Sequence, residues 1–168
     1  LTAQLLSGEC DVVVHSWKDL PTENHPDTTI IGTLPREDVR DLILFKRSSL
    51  AQAYQDSKLK VLTSSPRRTH HLKDFLKWAL PRTLLDVEFS PVRGNIATRI
   101  QKMLDGEHHA LVVAKAAIDR LLSAEEPEFS ETRNMILKAL DACEFMIAPL
   151  SVCPGAPAQG ALAVEALR

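Results

Sequence analysis

Two kinds of short stretch place charged or proton-exchanging side chains where a predicted strand ends. The first is HSWKDLPT, residues 15–22, which follows the apolar run VVV and offers a hydroxyl, a lysine and a carboxylate at Ser16, Lys18 and Asp19. A β-branched run that ends in a polar cluster and a proline is typical of a buried strand whose carboxyl end opens into a loop. Ligands of open α/β sheets bind at such ends. We therefore consider this loop a candidate for acid–base chemistry.

The second kind of stretch places arginine early in a predicted helix. In TSSPRR, three hydroxyl residues lead into a helix whose first turn carries two arginines. Backbone N–H groups at a helix N-terminus, hydroxyls and guanidiniums together suit carboxylates or phosphates. In PVRGNIATR, Arg93 follows a strand, Gly94 permits close backbone approach, and Arg99 lies one turn into the next helix. The two stretches predict an anion site, to which the first contributes Thr63, Ser64, Ser65, Arg67 and Arg68.

Structural explanations of the same residues stay open. Paired arginines early in a helix are most often a solvated face, although the helix dipole disfavours them there and so hints at a compensating anion. Asp19 beside Lys18 is also explained by a loop salt bridge worth under about 1 kcal/mol. His15, facing inward from a strand, is explained better as a hydrogen-bonded core histidine than as a catalyst. The histidine pairs at 70–71 and 108–109 lack the i, i+4 spacing of metal ligands on a helix, so no metal site is predicted.

Strands and helices alternate along the chain, which predicts an α/β fold with parallel or mixed sheets. The predicted strands cover 11–15, 28–33, 41–45, 60–63, 84–89, 110–114, 144–148 and 161–166. The predicted helices cover 66–79, 95–104, 115–122 and 130–142, and residues 1–9 resemble the last turns of another. Ser65 and Asn95 are the expected N-caps of the first two, and Pro66 occupies the first helical position. Polar segments near 35–40 and 149–159 are the expected crossings between two lobes.

Composition places the chain among globular proteins. Its 168 residues are 45% hydrophobic and 25% charged, values that exclude disordered and fibrous classes. No apolar run approaches the about 18 residues of a membrane-spanning helix, and no secretory signal precedes the first strand, so we expect a cytoplasmic protein with no membrane partner. A net charge of −2 allows anion binding without predicting nucleic-acid affinity. The three cysteines show no metal-site spacing, which predicts reduced thiols.

Six stretches, taken in order, resemble the characteristic segments of the porphobilinogen deaminase, or hydroxymethylbilane synthase, family. They are VVVHSWKDLPT, PREDVRD, TSSPRR, VRGNIATRIQKMLDGE, AIDRL and QGALAVE, and they span nearly the whole chain. The resemblance implies a transferase that condenses four porphobilinogens into linear hydroxymethylbilane with release of ammonia, a step of tetrapyrrole and haem biosynthesis. It also implies two lobes like those of type II periplasmic binding proteins, plus a C-terminal domain whose cysteine carries a dipyrromethane cofactor.

The resemblance assigns roles position by position. Asp19 matches the catalytic aspartate, which assists loss of the amine and exchanges protons with pyrrole nitrogens. Lys18 and Ser16 match residues that contact cofactor or substrate side chains. The other matches bind acetate and propionate groups or line the cleft: Thr63, Ser64, Ser65, Arg67, Arg68, Arg93, Gly94, Arg99, Arg120, Gln159 and Gly160. Arginine suits this work because its planar fork binds carboxylates in bidentate fashion. Asp19 is then expected to share one cleft with the arginines.

The sequence departs from the family pattern at several positions. Leu62 stands where glycine is usual, Pro66 replaces a leucine, Ala117 and Ala158 replace glycines, and residues 123–158 run longer than the matching segment. None of the cysteines, at positions 10, 143 and 153, follows two glycines as the cofactor-bearing one does.

We therefore expect a fragment that is inactive alone, with an incomplete lobe one from 1–37 and 147–168, a lobe two at 38–146, and a monomeric intact protein. The alternative is a non-catalytic, two-lobed module that binds a polycarboxylate or tetrapyrrole. A third interpretation is a regulatory domain of the same fold that binds a small anion.

Overall fold

The computed structural model describes residues 1–23, 25–81 and 86–168. They divide into two compact units, the first made of Leu1–Val39 with Gly155–Arg168 and the second of Arg40–Pro154. The α/β class with two units agrees with the expectation from the sequence.

The units divide at places that differ from the predicted lobe boundaries after residues 37 and 146. Residues 147–154 belong with unit two for two reasons. Ile147 pairs with Leu42 at the end of a strand ladder, and Cys153 is fully buried in the core of that unit. The apolar contacts of this segment therefore hold it in unit two, although its proline-rich sequence resembles a linker.

Unit one is built on a three-stranded antiparallel sheet. Its strand order is β1 (Val12–Ser16), β8 (Leu162–Leu167) and β2 (Thr28–Thr33). The short helix α1 (Thr2–Leu6) packs against this sheet through the buried Leu5. A 3-10 turn, Trp17–Asp19, follows β1 directly, so the strand presents the predicted acid–base residues at its carboxyl end, as the sequence indicated.

Unit two contains a five-stranded mixed sheet. Its strand order is β5 (Asp86–Ser90), β4 (Lys58–Leu62), β6 (Ala110–Ala114), β3 (Asp41–Lys46) and β7 (Cys143–Ile147). Strand β4 runs parallel to both β5 and β6, whereas β3 runs antiparallel to β6 and β7. The central strands β6 and β3 are apolar at nearly every position because both of their faces are covered.

Five helices cover the two faces of this sheet. They are α2 (Arg47–Gln55), α3 (Pro66–Ala79), α4 (Ile96–Asp105), α5 (Lys115–Ser123) and α6 (Ser130–Asp141). One core contains Leu44 with buried side chains of α4, α5 and α6. The other core contains Ile43 with buried side chains of α2 and α3. Successive β3 residues thus serve opposite cores, as the two-residue repeat of a strand requires.

The predicted elements compare closely with the observed ones. Strands 28–33 and 110–114 and helix 66–79 have the predicted bounds. The predicted strand 84–89 lies partly outside the described residues and is observed over Asp86–Ser90. Helix α2 was not predicted, because it buries only Ala53 and so leaves little apolar periodicity in the sequence.

Both predicted helix caps are present. The Asn95 side chain accepts a hydrogen bond from the Thr98 N–H at 2.8 Å, and Ser65 Oγ accepts one from the Arg68 N–H at 3.4 Å. Each bond satisfies an amide that has no partner within the first turn of its helix. The caps therefore fix where α3 and α4 leave the loops that contain the candidate anion-binding residues.

A buried carboxylate ties the strands of unit one together. Glu165, on the central strand β8, is 4% exposed. It accepts hydrogen bonds from Thr28 Oγ1 at 2.5 Å, His15 Nε2 at 2.8 Å and Thr2 Oγ1 at 3.0 Å. The Thr28 hydroxyl, followed by His15, lowers the pKa of Glu165 below its ordinary value. His15 is thus a hydrogen-bonded histidine on the covered face of the sheet, as expected.

Glu165→Gln is expected to lower the free energy of unfolding by about 1–3 kcal/mol at neutral pH, because the amide accepts these bonds less strongly. Since the pKa of Glu165 is lowered on folding, the advantage of the wild type is complete above the ordinary glutamate value of 4.5. It is lost as pH falls through the lower folded-state pKa. Urea unfolding of both proteins between pH 3 and 7 measures this difference, and a difference that is independent of pH contradicts the assignment.

Candidate functional site

Three strand-to-helix junctions lie at one edge of the unit-two sheet, because β4, β5 and β6 are parallel. Two of these junctions are joined directly. Ser64 Oγ donates to the Val92 carbonyl at 2.7 Å and accepts from the Val92 N–H at 2.8 Å, while the Thr63 N–H donates to the Ser90 carbonyl at 2.9 Å. The TSSPRR and PVRGN stretches, whose combination into one site was predicted, are therefore neighbours.

The hydroxyls of the first junction shape its loop. Thr63 is 5% exposed, and its Oγ1 accepts a hydrogen bond from the Ser65 N–H at 3.2 Å. Ser65 caps α3, and Ser64 holds the neighbouring loop. These contacts stiffen the backbone at the start of the helix. Direct ligand contacts by the three hydroxyls stay a prediction.

The two arginines of α3 converge on one carboxylate. Arg68 Nε and Nη2 donate to Asp41 Oδ1 at 3.1 and 2.8 Å, and Arg67 Nη2 donates to Asp41 Oδ2 at 2.8 Å. Arg68 Nη1 donates to the Val112 carbonyl at 3.2 Å. Asp41 is fully buried, at the first position of β3. This partner of the predicted anion-binding pair was not predicted from the sequence.

At the second junction, arginine and lysine side chains contact a loop whose conformation requires glycine. Gly94 has φ +120°, and a Cβ there would lie 2.8 Å from Thr98 Cγ2, so only glycine fits without a shift. Arg99 Nε donates to the Gly94 carbonyl at 2.7 Å, and Lys102 Nζ donates to the Arg93 carbonyl at 3.0 Å. The Arg93 side chain is exposed. Lys102 was missed by the sequence analysis, although it follows Arg99 by three positions on α4 and so shares its face.

A shallow pocket of about 490 Å³ opens at the first junction. Its lining combines the three hydroxyl residues and Pro66 with Thr69, His70, Phe89 and Pro91. His70 belongs to the histidine pair at 70–71, for which no metal site was predicted. It lies one turn beyond Pro66 on α3, and that spacing is the signal by which its place in the pocket could have been found.

The remaining unit-two candidate, Arg120, lies half-buried on α5. Its carbonyl accepts hydrogen bonds from Ser123 Oγ and the Ala124 N–H at the end of that helix. Contact between its guanidinium and a ligand stays a prediction.

In unit one, Gln159 and Gly160 hold the segment that precedes unit two. Gln159 is 1% exposed, and its Nε2 donates to the Val39 carbonyl at 2.7 Å. Gly160 has φ +86°, and a Cβ there would lie 2.5 Å from the Glu37 carbonyl oxygen, so the position requires glycine. Both residues therefore have a structural role within their unit. Their predicted place in a ligand cleft stays a prediction.

Lys18 and Asp19 are exposed beyond the end of β1, whereas Ser16 is half-buried. Lys18 and Asp19 occupy the 3-10 turn, which is fastened where the Trp17 N–H donates to the Ala161 carbonyl at 3.1 Å, and Ser16 is the last residue of the strand. Trp17 and Ala161 also line an apolar pocket of about 410 Å³ within unit one. Asp19 and the arginines belong to different units, so their sharing of a cleft stays a prediction.

The described cysteine thiols differ in accessibility. Cys143 and Cys153 are buried, and burial raises the pKa of both thiols, whereas Cys10 is half-buried. Because the thiolate is the reactive form, iodoacetamide is expected to label Cys10 first at pH 7.5 and the other two only after denaturant is added. Peptide mass spectrometry over a time course measures this order. Early labelling of Cys153 contradicts it.

Within residues 1–23, 25–81 and 86–168, no cluster of three histidine, cysteine or acidic residues could hold a metal ion. No helix in this described part of the chain is long and apolar enough to cross a membrane.

Solved structures with a similar arrangement are only distantly related in sequence. A periplasmic sulfonate-binding protein from Methylobacillus flagellatus aligns with 100% of this chain and 45% of its own, with 13% identity and a TM-score of 0.48. A structure from work on glutathione import in Streptococcus mutans aligns with 99% of this chain and 60% of its own, with 11% identity and a TM-score of 0.45. We draw no functional conclusion from these similarities.

Curated relatives are much more similar in sequence. Porphobilinogen deaminase of Nocardia farcinica is 38% identical over 165 residues, which cover 98% of this chain and 40% of the relative. That of Acidothermus cellulolyticus is 40% identical over 168 residues, with 100% and 43% covered, and that of Streptococcus sanguinis is 36% identical over 163 residues, with 96% and 45% covered. The chain therefore spans less than half the length of these relatives.

A family model described as "Porphobilinogen deaminase, dipyromethane cofactor binding domain" matches residues 1–168. Together with the relatives, this match over the full chain confirms the resemblance found in the motifs. The chain belongs to the porphobilinogen deaminase family.

Proposed function

We propose that the full-length protein is a hydroxymethylbilane synthase, the transferase that condenses four porphobilinogens into linear hydroxymethylbilane with release of ammonia in tetrapyrrole and haem biosynthesis. The observation that carries this proposal is the family match over residues 1–168. The activity is proposed for the full-length protein because this chain covers 40% to 45% of its relatives. The chain alone is expected to be inactive.

The charges at the edge of the unit-two sheet support this substrate class. Each pyrrole of porphobilinogen carries an acetate and a propionate, so the growing product is a polycarboxylate. Arg93, Arg99 and Lys102 surround the loop at Gly94, and Arg67 lies at the adjacent junction. Fixed cations beside backbone amides at the start of a helix favour several carboxylates at once.

The donor set also fits the carboxylates of the dipyrromethane cofactor. That cofactor, when bound, supplies the primer to which the first substrate is joined. Arg67, Arg93 and Arg99 are the proposed residues that hold it. The thiol that anchors it is not supplied by Cys143 or Cys153, because both are buried and neither follows two glycines.

We propose that Asp19, in unit one, transfers the protons of the reaction. Asp19 is exposed at the end of its turn, where a carboxylate can accept or donate a proton at an amine or a pyrrole N–H. Lys18 and Ser16 are proposed to contact the side chains of the ligand. Because the relatives are biosynthetic enzymes, we propose a cytoplasmic location. That the intact protein is a monomer and does not bind nucleic acid stays a prediction.

A second candidate is a non-catalytic module that binds a polycarboxylate or a tetrapyrrole. Its support is the altered loop: Leu62 is 3% exposed and fills the core, and Pro66 lines the pocket at the first junction. Both residues stiffen the loop that would have to admit a ligand. The exposed carboxylate of Asp19 favours the enzyme, because a binder of anions gains nothing from a negative charge beside them.

The experiment that separates the two is turnover by the full-length protein. We expect it to consume porphobilinogen, release one ammonia for each molecule consumed, and form hydroxymethylbilane. Without a further enzyme this product closes with loss of water to uroporphyrinogen I, which an added oxidant such as iodine converts to uroporphyrin I for detection. The 168-residue chain serves as the inactive comparison. Binding of uroporphyrin I without consumption of porphobilinogen supports the binding module and contradicts the enzyme.

A further inference from the structure

We propose that Asp41 is a positioning residue that holds the guanidinium of Arg67 in the orientation needed for binding ligand carboxylates, with Arg68 as the buried cation that compensates its charge. This inference rests on the proposed function and adds to it a role for Asp41, the last residue of the PREDVRD stretch, to which the resemblance assigns no role. The carboxylate does not touch the ligand in this proposal and acts through Arg67.

The surroundings of Asp41 explain how unit two holds a carboxylate in its interior. Its side chain is 0% exposed, and a buried carboxylate is tolerated only when cations and hydrogen-bond donors surround it. Arg67 and Arg68 donate to separate oxygens of the carboxylate, and Cys153 Sγ adds a donor to Oδ2 at 3.5 Å. Burial raises the pKa of the Cys153 thiol, which therefore stays a donor. The carboxylate thus fixes two consecutive arginines at once.

The two arginines differ in their contacts, and this difference gives them different roles. The Arg68 side chain is 8% exposed and directs Nε and Nη2 to Asp41 and Nη1 to the Val112 carbonyl. Turning this guanidinium toward a ligand would break the bonds that compensate the buried charge. Arg68 is therefore a structural cation of the site, in contrast to the direct ligand role that the resemblance implies for it.

Arg67 differs because its side chain is 22% exposed. Its Nη2 is held by Asp41, and its Nη1 donates to the Pro154 carbonyl and to Cys153 Sγ. An arginine that is held before the ligand arrives loses its rotamer freedom on folding and not on binding.

The position of Asp41 in the sheet agrees with this role. Asp41 is the first residue of β3 and pairs with Ala114, the last residue of β6, because those two strands are antiparallel. The carboxyl ends of β4 and β6 lie at the same edge, since these strands are parallel. The carboxylate is therefore buried directly beneath the edge from which α3 starts.

Asp41→Asn in the full-length protein tests the proposal, with uroporphyrin I as the probe of polycarboxylate binding. The amide removes the negative charge that orients Arg67, so we expect the dissociation constant for uroporphyrin I, measured by fluorescence titration, to rise about tenfold. Asp41→Glu restores the charge and is expected to recover part of the affinity. The KM for porphobilinogen is expected to follow the same order: lowest for the wild type, intermediate for Asp41→Glu and highest for Asp41→Asn.

Ile43→Val is the matched control, because Ile43 lies on the same strand, is 0% exposed and belongs to the apolar core. It removes a methyl group and lowers stability without touching the arginines, so its affinity is expected to equal that of the wild type. All titrations are run well below the melting temperature of each variant. Should Asp41→Asn fail to fold, Arg68→Lys, which keeps a cation but loses the fork, is expected to weaken uroporphyrin binding several-fold.

The outcomes are separable from those of the proposed function. The positioning role is overturned if Asp41→Asn binds uroporphyrin I with wild-type affinity. If Asp41→Asn does not fold, wild-type affinity in Arg68→Lys overturns it instead. An equal loss of affinity in Ile43→Val also overturns it. Absence of uroporphyrin binding by the wild-type protein also overturns it. If the wild type binds uroporphyrin and Asp41→Asn binds it about tenfold more weakly, but porphobilinogen is not consumed, the enzymatic function fails while the positioning role stands.

Discussion

Replacing Asp19 by asparagine in the full-length protein is expected to slow porphobilinogen consumption by about 10²- to 10⁴-fold, the usual loss when a general acid–base group is removed. Asparagine has nearly the same size and still forms hydrogen bonds, but it cannot accept or donate a proton in the reaction. The loss should appear in kcat at saturating porphobilinogen, with a much smaller change in KM, because the arginines that are proposed to bind the carboxylates are unaltered.

The matched control for this prediction is Glu23→Gln. Glu23 is another exposed carboxylate of unit one, on the loop that follows the 3-10 turn of Asp19. The Glu23→Gln substitution removes one negative charge from the same region of the sequence, so the kcat of this variant is expected to stay within a factor of about two of the wild type. If Asp19→Asn retains more than a tenth of the wild-type kcat, or if both variants lose activity equally, Asp19 is not the acid–base group.

Most of the secondary structure could be predicted because the decisive signals are local. Ser65 followed by Pro66, and Asn95 before an apolar repeat, mark helix starts through contacts that span only three residues. The β-branched residues of β6 similarly indicate a strand that is covered on both faces. Helix α2 escaped prediction because it contributes only Ala53 to the core.

The partner of the arginines could not be predicted, because it depends on the order of the strands. Asp41 precedes Arg67 by 26 positions in the sequence, and the two meet only because β3 is inserted antiparallel beside β6. In the sequence, Asp41 is the last residue of the PREDVRD stretch and the first of an apolar strand, and neither position indicates an arginine partner. The motif TSSPRR lies at the strand ends where an anion site was predicted, but nothing local in it indicates that Arg68 is buried against a carboxylate.

Arg68→Met is expected to lower the free energy of unfolding by about 3 to 5 kcal/mol, the usual cost of removing one partner from a buried ion pair. Methionine replaces much of the apolar stem of the arginine, so the loss arises mainly from the carboxylate of Asp41, which keeps only Arg67 and Cys153 among the donors described above. Urea denaturation of the 168-residue chain, followed by circular dichroism, measures the change.

Arg47→Met provides the contrast, because Arg47 pairs with Glu144 at the surface, where the two side chains are 57% and 60% exposed. Its loss is expected to be about 1 kcal/mol. Adding Asp41→Leu to Arg68→Met removes the buried charge and is expected to recover part of the lost stability, since apolar replacement of both partners is often neutral. A loss in Arg68→Met no larger than in Arg47→Met would mean that water or rearrangement compensates Asp41, and the buried pair would then contribute little to the stability of unit two.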